Sequence, residues 1–204
     1  LIYFILFLFI IMNIETLIKT PKSSLNVYNM TNDHLVKECV SEVKDKLIVN
    51  PPIIVYGKPA IQHRCIGFFS NTSIGYKYSN QMAKSIPLTP NLEILLKLIN
   101  SQFKSQFNGI LVNRYNDGND YIGSHSDDET NLDNIGVVAI SYGAVRKFRI
   151  RDKITRKIVK DIPTLSNYII HMDGHFQKEF IHEIPIEKKV KEERYSFTFR
   201  KHII

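Results

Sequence analysis

A chain of 204 residues is long enough to bury the core of one domain, and its 44% hydrophobic and 23% charged residues are ordinary for a soluble globular protein. The formal net charge of +7 favours a polyanionic partner, although many basic proteins bind no nucleic acid. The two cysteines, Cys39 and Cys65, exclude a disulfide scaffold and a cysteine zinc site, and they indicate a reducing compartment.

The amino-terminal run from residue 1 to Met12 is apolar throughout, but a membrane-spanning helix needs about 20 such residues. The run also lacks the basic start and the small-residue cleavage site of a signal peptide. We expect Met12 to be the true start, so that the preceding residues are upstream reading frame. The alternative is that this apolar run tethers the protein to a membrane. Because residues 13–30 contain breakers such as Pro21, we expect residues 1–30 to be a loose lead-in, disordered or partly untranslated.

Two helices are predicted next. Thr31 can cap a helix whose apolar residues recur at helical spacing from Leu35 to Leu47. Thr89 can cap a second helix with Pro90 at its first position. We expect the apolar stripe of each helix to face the core. The stripe of the second helix consists of Leu92, Leu95, Leu96, Ile99, Phe103 and Phe107.

From Gly109 onward the sequence changes to short segments rich in β-branched and aromatic residues, separated by turns such as the one at 116–118. The predicted strands are 109–115, 137–142, 147–151, 166–171 and 194–200. Helices followed by many short strands predict an α+β fold built on a sandwich or barrel. A jelly roll is the commonest such fold that also houses metals.

One histidine-carboxylate motif has the composition of a metal site. His125 and Asp127 are two residues apart, so their side chains fall on one face of an extended strand. With His182 they would make the two-histidine, one-carboxylate triad that leaves coordination positions of Fe(II) open. A His-x-Asp tripeptide also arises by chance in a chain with seven histidines, so this motif alone is weak evidence.

The segment 194–200 alternates strictly between polar and aromatic residues. Arg194, Ser196, Thr198 and Arg200 point one way, and Tyr195, Phe197 and Phe199 point the other. If the aromatic face packs on the core, the two guanidinium groups could each reach one end of a dicarboxylate such as 2-oxoglutarate. The alternative is that the strand exposes a basic outer face to solvent.

Together these motifs resemble the AlkB family of nucleic-acid dealkylases, most of all its animal homologue 2 branch and then homologue 3. The motifs are residues 113–118, residues 125–129, His182 and residues 194–200, and the likeness runs from about residue 55 to residue 204. It implies a double-stranded β-helix (jelly-roll) core with N-terminal helices and a substrate-binding lid and hairpin. It also implies one dioxygenase domain over 31–204, with a nucleotide-recognition lid at 50–85.

The resemblance assigns the ligands of the metal and the co-substrate. Iron would be held by His125, Asp127 and His182, with Asp127 acting in catalysis together with the bound iron. The co-substrate 2-oxoglutarate would be held by Asn113, Tyr115, Arg194, Ser196, Thr198 and Arg200. Arg200 would lie near its keto-acid end and Arg194 near its distal carboxylate. Ser196 stands where the family usually has Asn, so we expect weaker or altered co-substrate affinity.

The resemblance also assigns a substrate surface. Tyr56, followed by Gly57 and Lys58, would be the finger of a hairpin that enters the duplex. Arg64 would face the opposite strand. The lid would stack on a flipped base through Tyr76, Lys77 and Tyr78, and Asp128 and Glu129 would contact that base. Tyr replaces the family's Phe at positions 56 and 78, which preserves stacking but could weaken duplex invasion. Alternatively, these tyrosines are core strand aromatics.

The function that the resemblance implies is oxidative demethylation of bases such as 1-methyladenine and 3-methylcytosine in DNA. Methyl carbon would leave as formaldehyde while 2-oxoglutarate is decarboxylated to succinate, with Fe(II) and O₂ required. Basic residues such as Lys147, Arg149 and Lys201 could hold phosphates. The alternatives are an RNA or single-strand demethylase, a protein hydroxylase, a cupin-type metal binder, or a non-catalytic nucleic-acid-binding jelly roll.

We expect duplex DNA as the partner ahead of single-stranded DNA or RNA, no membrane association, and a monomer. The expected location is the nucleus in a eukaryote and otherwise the cytoplasm.

Overall fold

The computed structural model of the protein describes residues 11–31, 33–55, 57–78, 81–127 and 136–202. Residues 11–14, 77, 78 and 81 are described by their backbone only. Three predicted site residues, Tyr56, Asp128 and Glu129, therefore lie outside the described residues, as do the side chains of Lys77 and Tyr78.

Short strands make up most of the described chain. The strands are β1 (Ile11–Lys19), β2 (Ser23–Met30), β3 (Ile48–Val49), β4 (Pro52–Val55), β5 (Lys58–Ile61), β6 (Cys65–Phe69), β7 (Gly75–Tyr78), β8 (Gln81–Ile86), β9 (Gly109–Tyr115), β10 (Ile122–His125), β11 (Val137–Gly143), β12 (Lys147–Asp152), β13 (Ile158–Pro163), β14 (Tyr168–Gly174), β15 (Phe180–Ile184) and β16 (Arg194–Arg200). The helices are α1 (His34–Val43), α2 (Pro90–Phe103) and α3 (Phe176–Glu179), and a 3₁₀ turn (Lys44–Lys46) follows α1.

Two sheets carry the site. The major sheet runs β1-β2-β14-β11-β16-β9-β6-β8-β7, with β3 beside β6, and the minor sheet runs β10-β15-β12-β13. β4 and β5 pair with each other as a separate hairpin. Helices α1 and α2 cover one face of the major sheet, where Val36, Leu95 and Phe197 share a buried apolar cluster. On the other face Ile170 of the major sheet packs with Ile150 of the minor sheet. These layers confirm the predicted α+β double-stranded β-helix.

The prediction of a loose lead-in over residues 13–30 is wrong. β1 and β2 form an antiparallel hairpin, and β2 pairs along its length with β14 of the major sheet. The breaker Pro21 lies in the turn of this hairpin. Leu25 and Val27, two residues apart, are buried on the sheet's inner face. The apolar alternation typical of a strand was therefore present in the sequence, close to the breakers.

The two helix predictions differ in accuracy. α2 begins at Pro90 with Thr89 at its N-cap, as predicted. α1 begins two residues later than a cap at Thr31 would require, because Asp33 is its N-cap. It ends at Val43, so Leu47 lies beyond the 3₁₀ turn but is still buried.

All five predicted strands exist, and β9 and β16 have the predicted bounds. β10, β13 and β15 were not predicted. β10 contains Gly123, Ser124 and His125, which have little strand preference, so pairing with β15 determines its conformation. Among the described residues, no helix combines the length and the apolar character that crossing a bilayer requires.

Candidate active site

The floor of the site is a polar stripe across three neighbouring strands of the major sheet. β16 lies between β11 and β9, with Ser196 opposite Ser141 on one side and Asn113 on the other. Because side chains alternate along a strand, Arg194, Ser196, Thr198 and Arg200 share one face, and all four line the same cavity. Tyr195, Phe197 and Phe199 point into the helix-covered core. Every residue of β16 is buried, so the alternative of a solvent-facing basic strand is wrong.

The minor sheet brings the two histidines together. His125 at the end of β10 is the direct cross-strand partner of His182 on β15, and their ring centroids are 4.4 Å apart. Asp127 lies just beyond the end of β10 rather than on an extended strand. The predicted metal ligands thus meet although 55 residues separate Asp127 from His182 in the sequence.

Asp127 lies between the two imidazoles. Its Oδ1 is 3.6 Å from His125 Nε2, and its Oδ2 is 3.6 Å from His182 Nε2. One candidate ligand atom from each residue lies within 4.8 Å of the others. The same Oδ1 accepts a hydrogen bond of 2.7 Å from Arg200 Nη2. This bond joins the His-Asp-His cluster to the polar floor.

Burial and charge fix the protonation of these three residues. Burial lowers the pKa of His182 to about 3, with the neighbouring His125 acting in the same direction. Burial likewise lowers the pKa of His125, although Asp127 opposes this shift. Burial would raise the pKa of Asp127, but the charge and hydrogen bond of Arg200, with the two neighbouring histidines acting in the same direction, outweigh it and lower the pKa. At neutral pH the cluster is therefore two neutral imidazoles and one carboxylate, the forms that bind a metal ion.

The orientation of His125 suits metal binding. Its Nδ1 lies 2.9 Å from the carbonyl oxygen of Gly123, and a carbonyl can only accept. Nδ1 therefore carries the proton, and the lone pair of Nε2 points toward Asp127. Two neutral imidazole nitrogens and one carboxylate oxygen fit Fe(II), which uses this donor set with open coordination positions in oxygenases.

Arg194 lies at the other end of the floor and is fully enclosed. Its Nε donates to Thr164 Oγ1 at 3.0 Å and its Nη2 donates to Ser141 Oγ at 2.9 Å. Its buried Nη1 has no hydrogen-bond partner, and no carboxylate of the described chain forms an ion pair with it. Burial lowers its pKa to about 10, so the group stays cationic at neutral pH. A buried cation with one donor free in a cavity fits a carboxylate ligand.

Tyr115 and Arg146 support this end of the site. The Tyr115 ring centroid lies 5.4 Å from Cζ of Arg194 and 5.7 Å from Cζ of Arg146. Arg146 is almost fully buried and donates to the carbonyl oxygens of Asp117, Asp120 and Pro185 at 2.7–2.8 Å. These carbonyls belong to the segments that precede β10 and follow β15. Arg146 thus ties together the two strands that carry the histidines.

Close backbone approach in the same place requires a glycine. A Cβ on Gly118 would lie 1.8 Å from the carbonyl oxygen of Glu187, and the two residues are joined by a backbone hydrogen bond. Arg146, Ser141 and Thr164 were not among the predicted site residues. Ser141 had a detectable signal, because it occupies a polar position within a predicted strand. Arg146 lies in a turn and had none.

Arg64 contacts the polar floor. The resemblance placed it against the opposite nucleic-acid strand, but its side chain is only 3% exposed and its Nε donates to Asn113 Oδ1 at 2.8 Å. Its charge also acts on His125. Through this bond Arg64 orients Asn113, one of the residues of the polar floor.

The predicted lid is partly described. β4 and β5 form the predicted hairpin, with Val55 opposite Lys58 and Gly57 at φ +76° in the turn. Lys58 is exposed. Tyr76 on β7 is buried, lines the cavity and lies under Arg200, whose Cζ is 4.9 Å from its ring centroid.

Two of the predicted phosphate contacts have acidic partners instead. Arg149 forms paired hydrogen bonds with Asp161 at 2.8 and 2.9 Å, and the Lys147 ammonium lies within 4.0 Å of Asp161 and Glu187. Such pairs on the minor sheet reduce the positive charge available to a polyanion.

Comparison with known proteins agrees with this geometry. The sequence profile of the 2OG-Fe(II) oxygenase superfamily matches residues 27–200. The chain is 29% identical over 177 residues to the DNA oxidative demethylase ALKBH2 of Homo sapiens, covering 83% of this chain and 68% of that protein. It is 33% identical over 135 residues to the alpha-ketoglutarate-dependent dioxygenase alkB homolog 3 of Rattus norvegicus, covering 61% of this chain and 46% of that protein.

Among solved structures, OsALKBH1 superposes with a TM-score of 0.57 at 17% identity, over 83% of this chain and 93% of that chain. At this identity the match concerns the fold, which is the one described above. The superfamily's cofactors are iron, 2-oxoglutarate and O₂. The chain therefore belongs to the 2OG-Fe(II) oxygenase superfamily, as an iron- and 2-oxoglutarate-dependent dioxygenase similar to AlkB homologues 2 and 3.

Proposed function

We propose that the protein demethylates alkylated bases in DNA by oxidation, with 1-methyladenine and 3-methylcytosine as its type substrates. The observation that carries the proposal is the shared cavity, in which a His-Asp-His cluster faces a polar floor that holds a buried arginine with a free donor. The similarity to proteins named DNA oxidative demethylase supports the choice of DNA.

His125, Asp127 and His182 would hold the iron. With 2-oxoglutarate and O₂, bound iron supplies the oxidation of an N-methyl carbon, which leaves as formaldehyde while the co-substrate leaves as succinate and CO₂. Arg200 holds the buried Asp127 carboxylate in place through its 2.7 Å hydrogen bond. The protein's contribution is to position these groups and to exclude water from them.

Arg194 would receive the distal carboxylate of 2-oxoglutarate through Nη1, with Tyr115 and Ser196 beside it. Arg200, adjacent to the metal ligand, would lie near the keto-acid end, with Asn113 and Thr198 completing the floor. The order of these residues along β16 supports this orientation, because Arg200 contacts the triad and Arg194 lies six residues away near Ser141.

The substrate would approach from the lid side. Tyr56 and Gly57 in the β4–β5 turn, with Lys58, would meet the duplex, and Tyr76, Lys77 and Tyr78 would form the lid over the base. Asp128 and Glu129 follow the metal ligand directly in the sequence. Two carboxylates there would favour a cationic methylated base over its neutral parent. Methylated bases also pair poorly, which lowers the energy of flipping them out.

The test is formaldehyde release from a duplex oligonucleotide carrying one 1-methyladenine, with Fe(II), 2-oxoglutarate and ascorbate. The Asp127→Ala variant is the control, and the expected result is release by the wild type that disappears in the variant. Release from single-stranded DNA or RNA but not from duplex would change the substrate to a single strand. No release from any of the three by iron-loaded protein would overturn the proposal.

A further inference from the structure

Asp127 has to be held near the histidines by something other than strand pairing. The β10–β15 ladder ends at the pair His125 and His182, and the ladder is already irregular between Ile122 and His125. Asp127 is two residues past that end, yet its carboxylate stays within 3.6 Å of His182 Nε2. The residues that hold the Asp127 backbone therefore help to position the metal ligands.

Two hydrogen bonds to the opposite segment replace the missing ladder. The backbone N–H of Asp127 donates to Gln177 Oε1 at 2.9 Å. The preceding residue, Ser126, donates through its hydroxyl to the carbonyl oxygen of Phe180 at 3.5 Å, which is a weaker bond. Both acceptors belong to the continuous segment of α3 and β15 that also carries His182. The segment thus positions one metal-binding residue directly and a second one through Gln177.

Gln177 is itself held at both ends. Its backbone carbonyl oxygen accepts from Lys153 Nζ at 2.9 Å, and its side-chain Nε2 donates to Met172 Sδ at 3.5 Å. The amide is therefore oriented with Nε2 toward the sulfur and Oε1 toward Asp127, because only the oxygen can accept from a backbone N–H. The side chain is half-buried, and its bond to the Asp127 N–H is partly shielded from solvent.

We propose that Gln177 is a positioning residue of the metal site, which holds Asp127 in place by accepting its backbone N–H. The inference rests on the proposed role of Asp127 as an iron ligand. The required chemistry is an acceptor at this position, so a carboxylate should replace the amide and an apolar isostere should not. Groups that orient metal ligands affect metal affinity by about 10- to 100-fold.

The test is the dissociation constant of Mn(II), used in place of Fe(II) because it binds the same ligands without oxidising, measured from the free-ion electron paramagnetic resonance signal. We expect Gln177→Met to weaken Mn(II) binding by at least about 10-fold. Gln177→Glu should bind Mn(II) as tightly as the wild type or more tightly. Gln106→Met is the matched control, since Gln106 accepts only an exposed hydrogen bond from Lys201.

The controls separate the inference from the site assignment. If Asp127→Ala abolishes Mn(II) binding but Gln177→Met does not weaken it, the positioning role is overturned and the ligand assignment stands. If Asp127→Ala binds Mn(II) normally, the ligand assignment itself fails. Equal weakening by Gln177→Glu and Gln177→Met would also overturn the proposal, because the acceptor would then be irrelevant.

A second measurement does not depend on the metal. Hydrogen exchange of the Asp127 amide should accelerate in Gln177→Met and stay slow in Gln177→Glu, with unchanged unfolding midpoints in urea. Should Gln177→Met unfold, Gln177→Asn takes its place, because the shorter amide keeps its polarity but cannot reach the Asp127 N–H. Unchanged Asp127 exchange in these variants would contradict the proposal.

Discussion

The polar floor on β16 and the β4–β5 hairpin are built in opposite ways. All seven residues of β16 are buried, and its arginines bond to Ser141, Thr164 and Asp127. In the two strands of the hairpin every residue except Ile53 is exposed. Within the described part of the chain the two hairpin strands pair only with each other.

The comparison separates two tasks. Groups that hold iron and co-substrate need fixed positions, and close packing supplies them. A surface that meets a large substrate can change without disturbing that packing. Substitutions in the floor should therefore alter co-substrate binding or stability, whereas substitutions in the hairpin should alter only the use of duplex substrate.

The largest expected effect comes from Arg194→Met. Removing the free donor should raise the KM for 2-oxoglutarate by about 100-fold or more, since truncating one partner of a buried charge pair costs ~2–5 kcal/mol. Steady-state succinate formation against 2-oxoglutarate concentration measures the change. Arg149→Met, at an arginine paired with Asp161 on the minor sheet, should leave KM unchanged. Equal KM values for both variants would contradict the proposed carboxylate site.

Arg146→Met should lower the free energy of unfolding by about 3 kcal/mol, because three carbonyl oxygens lose their donor in a buried place. Urea unfolding followed by circular dichroism measures this, with exposed Arg156→Met as the control. A loss no larger than the control's would show that Arg146 does not tie the two histidine strands together.

Acid should destabilise the fold through His202. Burial, and next the charge of Arg200, lowers the pKa of His202 from 6.5 to about 4. As pH falls below 6.5 the unfolded chain takes up this proton first, so stability present at neutral pH is lost between 6.5 and 4. From pH 7 to pH 5 the loss is about 2 kcal/mol.

The measurement compares urea unfolding of the wild type and His202→Gln at pH 7 and pH 5. The free energy of unfolding of the wild type should fall by about 2 kcal/mol more than that of the variant between pH 7 and pH 5. An equal fall in both proteins would mean that His202 titrates alike in the folded and unfolded chain.

The smallest effect on stability is expected in the hairpin. Gly57→Val places a β-branched residue at φ +76°, where no atom lies within 4 Å of the new Cβ, so the change is backbone strain of ~1–2 kcal/mol. Turnover of methylated duplex should fall about 10-fold, which corresponds to ~1.4 kcal/mol, while KM for 2-oxoglutarate stays the same. Ala60→Val on β5 is the matched control. A changed KM for 2-oxoglutarate would show that hairpin and floor are coupled.

The sequence predicted the chemistry of the site better than its supporting framework. The alternation in 194–200 predicted which side chains of β16 share a face, because strand periodicity is a local property. The segment 13–30 was misjudged because its turn residues resemble those of a loose chain, and only pairing with β14 makes β2 a central strand. The burial of Arg64 and its bond to Asn113 were not predicted, because a motif carries no information on burial.

The sequence by itself determined the α2 and β16 elements, since each follows from local spacing and residue type. The His-Asp-His cluster and the paired arginines were predicted because their motifs, in this order along the chain, resemble those of a known family. Tertiary structure decided that His125 lies opposite His182, that Arg200 bonds Asp127, and that Gln177 holds the Asp127 backbone. It also decided the burial of Arg64 and Arg146. These contacts join segments far apart in the chain, and their geometry depends on how two sheets pack, which no local pattern encodes.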